Sequence, residues 1–177
     1  MTTDILFAGF GGQGVLFAGK VLAYAALLEN REITWLPSYG PEMRGGTANC
    51  SVCISDAPIG SPLVLTPDIL VAMNQPSYDK FIGAVKPGGK VIFDSTLVQF
   101  DDDERGDIDC FAVASTQLAD DNDLKGGSNI ILIGKLLKET GLFTVETMQK
   151  VMEKIVPATK PQLRANNLRA IELGMSL

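Results

Sequence analysis

The residues best suited to chemistry are Gly9-Phe10-Gly11-Gly12-Gln13-Gly14, a G-x-G-x-x-G pattern between the apolar run Ile5-Leu6-Phe7-Ala8 and the stretch Val15 to Leu28. A turn of this kind, joining a strand to a helix, can cradle a phosphate. Glycine reaches positive φ and lets backbone N–H groups approach an anion with no Cβ in the way. The helix beginning near Gln13 points its unpaired N–H groups and positive dipole end at the same place. The other reading is a tight turn that packs the helix onto the sheet. A dinucleotide ligand would further require an Asp or Glu about 20 residues on, at the end of the second strand. Trp35 stands there, and Glu32 precedes the strand. The pattern therefore argues against NAD and leaves another phosphate ligand open.

A second loop, Ser38-Tyr39-Gly40-Pro41-Glu42-Met43-Arg44-Gly45-Gly46-Thr47, follows that strand. It should emerge at the same carboxyl edge, where α/β sheets bind ligands. Arg44 followed by two glycines offers a planar donor fork beside open backbone, which suits phosphate or carboxylate. A surface pair of Arg44 with Glu42 is the alternative. The third glycine turn, Lys125-Gly126-Gly127-Ser128-Asn129, reads as a helix start capped by Ser128.

Several chemistries are excluded. The chain has no histidine, so neither a Ser-His-Asp triad, nor a Cys-His pair, nor a His-ligated zinc site can be built. Cys50 and Cys53 spell C-x-x-C, but within the alternating strand pattern ANCSVCIS they point to opposite faces. With only Cys110 besides, they read as buried structural thiols. The net charge of -6, with Lys and Arg scattered singly, does not fit nucleic-acid binding. The acidic run Asp101 to Asp109 reads as a solvated loop. No apolar run reaches the roughly 18 residues of a membrane span, and no signal peptide opens the chain. A cytoplasmic protein is expected.

The elements that must position these residues alternate. Strands are expected at Ile5–Ala8, Ile33–Leu36, Ala48–Ser55, Asp68–Met73, Lys90–Asp94 and Cys110–Ala114. Helices are expected at Val15–Leu28, from Asn74 through Tyr78–Val85, at Asn129–Thr140, Val145–Ile155 and Gln162–Leu173. The implied fold is α/β, a three-layer Rossmann-like single domain whose mostly parallel sheet is flanked by helices. An antiparallel pair within Ile33–Ser55 is expected at one edge.

Four segments together, Gly9–Gly14, Ser38–Gly46, Asp68–Asn74 and Lys86–Gly89, resemble the gamma subunit of 2-oxoacid:ferredoxin (acceptor) oxidoreductases, and the resemblance covers nearly the whole chain. It implies one gamma-type catalytic domain over residues 1–177, working with alpha and beta subunits and in some complexes a ferredoxin-like delta subunit. It also implies that thiamine diphosphate, magnesium and iron–sulfur clusters sit on those partners, with ferredoxin as electron acceptor. Coenzyme A is the co-substrate linked with the gamma unit. Carried onto this chain, its candidate contacts are Gly9, Gly11, Gly12, Gln13 and Gly14 in the first loop, and Met43, Arg44, Gly45 and Gly46 in the second. The 2-oxoglutarate type is the expected one, ahead of branched-chain and pyruvate types. A purely structural interface subunit and a free-standing NAD-linked oxidoreductase are the rival readings.

Overall fold

The computed structural model describes residues 1–38, 47–100 and 105–177. The chain runs β1 (Thr2–Phe10), α1 (Val15–Leu28), β2 (Glu32–Ser38), β3 (Thr47–Ser55), β4 (Ile69–Ala72) and α2 (Gln75–Phe81). After a 3-10 turn at Ile82–Ala84 come β5 (Lys90–Asp94), β6 (Asp109–Val113), α3 (Ser115–Asp121), α4 (Ser128–Thr140), α5 (Val145–Ile155) and α6 (Pro161–Ser176). The strands form one sheet in the order β2-β3-β1-β4-β5-β6. Pairing is parallel from β1 through β4 and β5 to β6, whereas β3 runs antiparallel to both β1 and β2. β3 alone opposes the other five, and the antiparallel pair lies at one edge.

Side-chain alternation assigns each strand's residues to two cores. On one face Ile5, Phe7, Cys50, Val52, Val71 and Ile92 pack with residues of α1, α4, α5 and α6. On the other, Leu6, Ala8, Cys53, Leu70, Val91 and Phe93 meet α2 and the loops around Val64 and Val98. Tyr78 stacks edge-on to Phe93 and Phe100 there, with centroids 5.5 and 6.4 Å apart. β4 is buried along its whole length, as a central parallel strand should be.

Local chemistry sets the helix ends. Thr144 accepts the Thr147 N–H at 3.1 Å to start α5, which buries Met148, Val151 and Met152 along one stripe. Gly141 ends α4 at φ +64°. Two expectations need correction. Ser128 does not cap α4: Gly127 holds the cap position and Ser128 is the first helical residue. A short helix, α3, stands where the sequence reading had none. No helix among the described residues is long and apolar enough to cross a membrane.

The two cysteines of the C-x-x-C pair lie on opposite faces of β3, so they cannot ligate one metal or bridge to each other. Burial pushes the Cys50 thiol up to about 12 and raises that of Cys53 as well. A thiol that stays neutral in the fold but ionises in the unfolded chain stabilises fully below its unfolded value, about 8.5. That contribution is lost as pH rises from there toward 12, by at most about 1.4 kcal/mol per pH unit for one thiol. Urea unfolding between pH 9 and 10 should therefore show a steeper loss in the wild type than in Cys50→Val. Equal slopes would remove Cys50 from the account.

Candidate functional site

The glycine run is the link between Phe10, the end of β1, and Val15, the start of α1. Gly12 has φ +94° and Gly14 φ +75°, conformations that cost a residue with a Cβ about 1–2 kcal/mol. Gly14 stands at the cap of α1 with no side chain to accept the first N–H groups. Its carbonyl accepts from Ala18 at 2.9 Å, so the N–H groups of Val15, Leu16 and Phe17 have no acceptor within the helix. Those of Gly11, Gly12 and Gly14 have none among the described residues. They surround a cleft of about 430 Å³ also walled by Phe10 and Ala48. A Cβ built on Gly12 would touch nothing within 4 Å, so space above the turn is open. Such a row of donors at the positive end of a helix can hold a phosphate group.

Gln13 and Gly9 stand apart from that row. The Gln13 side chain is turned inward: its Oε1 accepts from Phe10 N–H at 2.7 Å and from Asn74 Nδ2 at 2.8 Å. Its Nε2 donates to the Met73 carbonyl at 2.9 Å. The carboxamide thus ties the turn to the β4–α2 junction, and its visible work is to shape the turn. Asn74 is itself the cap of α2, accepting from Ser77 N–H at 2.9 Å. Gly9 is buried, and a Cβ there would meet Gln13 Oε1 at 2.8 Å and Val15 Cγ2 at 2.9 Å. Its glycine makes room for Gln13.

Sequence reasoning missed the support beneath the turn. Asn129, the second residue of α4, donates to the Gly14 carbonyl at 3.1 Å. Gly14 must be glycine here, since an added Cβ would lie 2.3 Å from Asn129 Nδ2. The neighbouring Ser128 reaches Asp94, the last residue of β5 and only 1% exposed. Asp94 accepts from Thr96 N–H at 3.0 Å, from the Thr116 hydroxyl and from the Ser128 hydroxyl at 3.4 Å. Ser128 also shares a 2.8 Å hydrogen bond with Ser115. One buried carboxylate therefore binds the starts of α3 and α4 together. An acid closing an apolar strand and followed by Ser95-Thr96 was the available signal.

Trp35 does not occupy a ribose-binding position. It pairs with Val52, and Val52 in turn pairs with Ile5, which places it mid-sheet. Its ring lies against α1, where a Cβ on Gly19 would meet Trp35 Nε1 at 2.9 Å and Cys50 Sγ at 2.5 Å. The structural obstacle to a dinucleotide is β3, which separates β1 from β2. In the usual dinucleotide order the strand carrying the ribose acid lies directly beside the first.

Met43, Arg44, Gly45 and Gly46 lie outside the described residues. The described residues on either side do reach the right edge: Thr47 pairs with Phe10, and Ser38 with Asn49. The Lys86–Gly89 signature lies at the opposite, amino edge. There Lys86 binds Asp68 at 2.9 Å and Asp4 at 3.2 Å, and Gly89 packs against backbone that leaves a Cβ no room. The Asp68 hydrogen bond is the main cause of a raised Lys86 pKa. This motif splices the beginnings of β1 and β4 and takes no part in the turn. In the acidic run, residues 101–104 lie outside the described set. Arg105 pairs with Asp107 and donates to the Ile82 and Val85 carbonyls at 3.0 Å.

Known proteins resemble this chain over most of its length. The family described as pyruvate ferredoxin/flavodoxin oxidoreductase matches residues 4–177. Subunit KorC of 2-oxoglutarate synthase from Methanocaldococcus jannaschii is 40% identical over 159 residues, 89% of this chain and 85% of that protein. Subunit VorA of ketoisovalerate oxidoreductase from Methanothermobacter thermautotrophicus is 41% identical over 172 residues, covering 96% of this chain. The match spans only 35% of VorA, so this chain corresponds to about a third of that longer polypeptide. The crystal structure of a keto/oxoacid ferredoxin oxidoreductase gamma subunit from Geobacter sulfurreducens superposes with a TM-score of 0.81 at 30% identity, over 98% of this chain and 96% of that one.

Proposed function

Because the chain belongs to the pyruvate ferredoxin/flavodoxin oxidoreductase family, we propose that it is the gamma subunit of a multi-subunit, thiamine-diphosphate-dependent 2-oxoacid:ferredoxin oxidoreductase, contributing coenzyme A binding and subunit assembly. The complex converts a 2-oxoacid, coenzyme A and oxidised ferredoxin into an acyl-CoA, carbon dioxide and reduced ferredoxin. Thiamine diphosphate, magnesium and the iron–sulfur clusters belong on the alpha, beta and, where present, delta subunits.

The observation that carries the reading is the set of N–H groups of Gly11, Gly12, Gly14, Val15, Leu16 and Phe17, which have no acceptor among the described residues, around an open cleft. The α1 dipole and these donors hold a phosphate of coenzyme A, while Asn129 and Gln13 keep the turn in shape. Arg44 is assigned as an added charged donor, since the residues that flank its segment, Ser38 and Thr47, reach the same edge. The 2-oxoglutarate type is favoured by KorC, which this chain matches over most of the length of both proteins.

In the enzyme reconstituted with its partner subunits, Arg44→Ala should raise the KM for coenzyme A about 10- to 100-fold, the worth of one charged hydrogen bond. Coenzyme-A-independent decarboxylation should stay intact. Unchanged coenzyme A kinetics would sink the Arg44 role, and a panel of 2-oxoacids on the same preparation identifies the substrate. A second reading, a purely structural subunit, draws on Leu63 and Leu65, which are 54% and 72% exposed and suit a partner surface. Calorimetry on the whole complex separates the two: coenzyme A binding in wild type, weakened by changes in the turn, rejects the structural reading. NADH binding by the isolated chain would instead revive a nicotinamide enzyme.

A further inference from the structure

Beside the turn lies a second cleft, of about 280 Å³, that the phosphate reading does not use. Gly14, Phe17, Gly126, Asn129, Leu163 and Asn167 bound it. Gly14 and Phe17 also line the first cleft, so the two meet along a common wall.

Its polar equipment is specific. Asn167, on α6, is only 6% exposed. Its Nδ2 donates to the Met152 sulfur, a weak acceptor, at 3.6 Å, and its Oδ1 accepts no hydrogen bond among the described residues. That oxygen is not sealed from solvent, so it stays open to a donor at the cleft. Opposite, Asn129 lines the cleft at the start of α4, where no side chain caps the first N–H groups of the helix. Between acceptor and donors stand the apolar side chains of Phe17, Ile130 and Leu163. The acceptor oxygen disfavours a phosphate in this cleft. A group presenting both an N–H and a C=O along an apolar chain satisfies both sides, and that is a secondary amide.

We propose that this second cleft takes the amide-bearing pantetheine arm of the ligand whose phosphates sit at the glycine turn. The assignment rests on the coenzyme A reading above. Asn167 Oδ1 accepts from an amide N–H of the arm, the α4 N–H groups donate to an amide carbonyl, and Phe17 and Leu163 flank the methylenes.

The test uses the assembled enzyme and two ligands: coenzyme A, and adenosine 3′,5′-bisphosphate, which has phosphates but no arm. Leu163 is 43% exposed, so Leu163→Trp should fold while filling the cleft. Asn167→Leu removes the acceptor at similar volume. Both variants should raise the KM for coenzyme A about tenfold, the loss of roughly one good hydrogen bond or contact set. The inhibition constant of the bisphosphate should stay within about twofold of wild type. An unchanged KM in Leu163→Trp overturns the assignment. So does a parallel weakening of the bisphosphate, which would put the nucleotide in this cleft. Failure of the bisphosphate to compete in the wild type has a different meaning: the phosphate reading of the turn falls, and this assignment with it.

Discussion

Gly134→Ala should cost about 3 kcal/mol of stability, an overpacking penalty near the top of the usual range. α4 and α6 cross with Gly134 and Gly174 in backbone contact. A Cβ on Gly134 would lie 2.2 Å from the Ile171 carbonyl oxygen and 2.9 Å from Gly174 Cα. A Cβ on Gly174 would lie 2.0 Å from the Ile131 carbonyl oxygen. No flexible side chain is there to retreat, so the helices themselves must separate. The intrinsic preference of a helix for alanine returns at most about 1 kcal/mol and does not reverse the sign. For a chain of this size the melting temperature should fall by about 10 °C. Gly83→Ala is the control, since its Cβ would meet nothing within 4 Å, and it should melt with the wild type. A melting temperature unchanged in Gly134→Ala would mean that the crossing is looser than drawn. α4 carries Asn129 and α6 carries Asn167, so spreading the pair should also weaken coenzyme A in the assembled enzyme.

Gly14→Ala is expected to have the largest effect on the site. Alanine at φ +75° carries about 1–2 kcal/mol of backbone strain. Its Cβ also drives the Asn129 amide off the Gly14 carbonyl, 3.1 Å away, and removes one more hydrogen bond, worth about 1 kcal/mol. Stability should drop by about 2–3 kcal/mol. The donors at the start of α1 should lose alignment, raising the coenzyme A KM at least about tenfold. Adding Asn129→Ala clears the collision but leaves the strain. The double variant should therefore be more stable than the sum of the two single losses predicts. Wild-type coenzyme A kinetics in folded Gly14→Ala would detach the turn from phosphate binding.

Much of this arrangement was legible in residue order because it is local. Val15–Leu28 and Val145–Ile155 read as helices, and Lys90–Asp94 as a strand, with the bounds they have in the fold. Their apolar spacing, flanking glycines and Thr144 act within a few residues. What escaped the reading is what acts across the chain. Ser115–Asp121 has only Leu118 and Ala119 to signal a helix and is too short to stand alone. It forms because Asp94, more than twenty residues earlier, bonds Thr116. Ser128 looks like a cap and is instead spent on Asp94 and Ser115.

Trp35 was placed by counting along the chain, as though neighbouring strands in sequence were neighbours in the sheet. β3 turning back between β1 and β2 breaks that assumption, because strand order is a long-range pairing decision. The glycine pattern announced a turn with open donors, and the structure keeps that. It could not announce that Gln13 faces inward, because the partners that turn it, Met73 and Asn74, lie 60 and 61 residues away.

That inward bracket decides when the entropy of ordering the turn is spent. The bonds from Gln13 to Phe10, Met73 and Asn74 form with the fold and require no ligand. The conformational freedom of the turn is therefore given up during folding, and little is left to lose when a phosphate arrives. A receptor ordered in advance binds without waiting for a loop to close and releases without waiting for one to open. Under the coenzyme A reading proposed above, a subunit that must take up one coenzyme A and let go of one acyl-CoA in every turnover would gain from both.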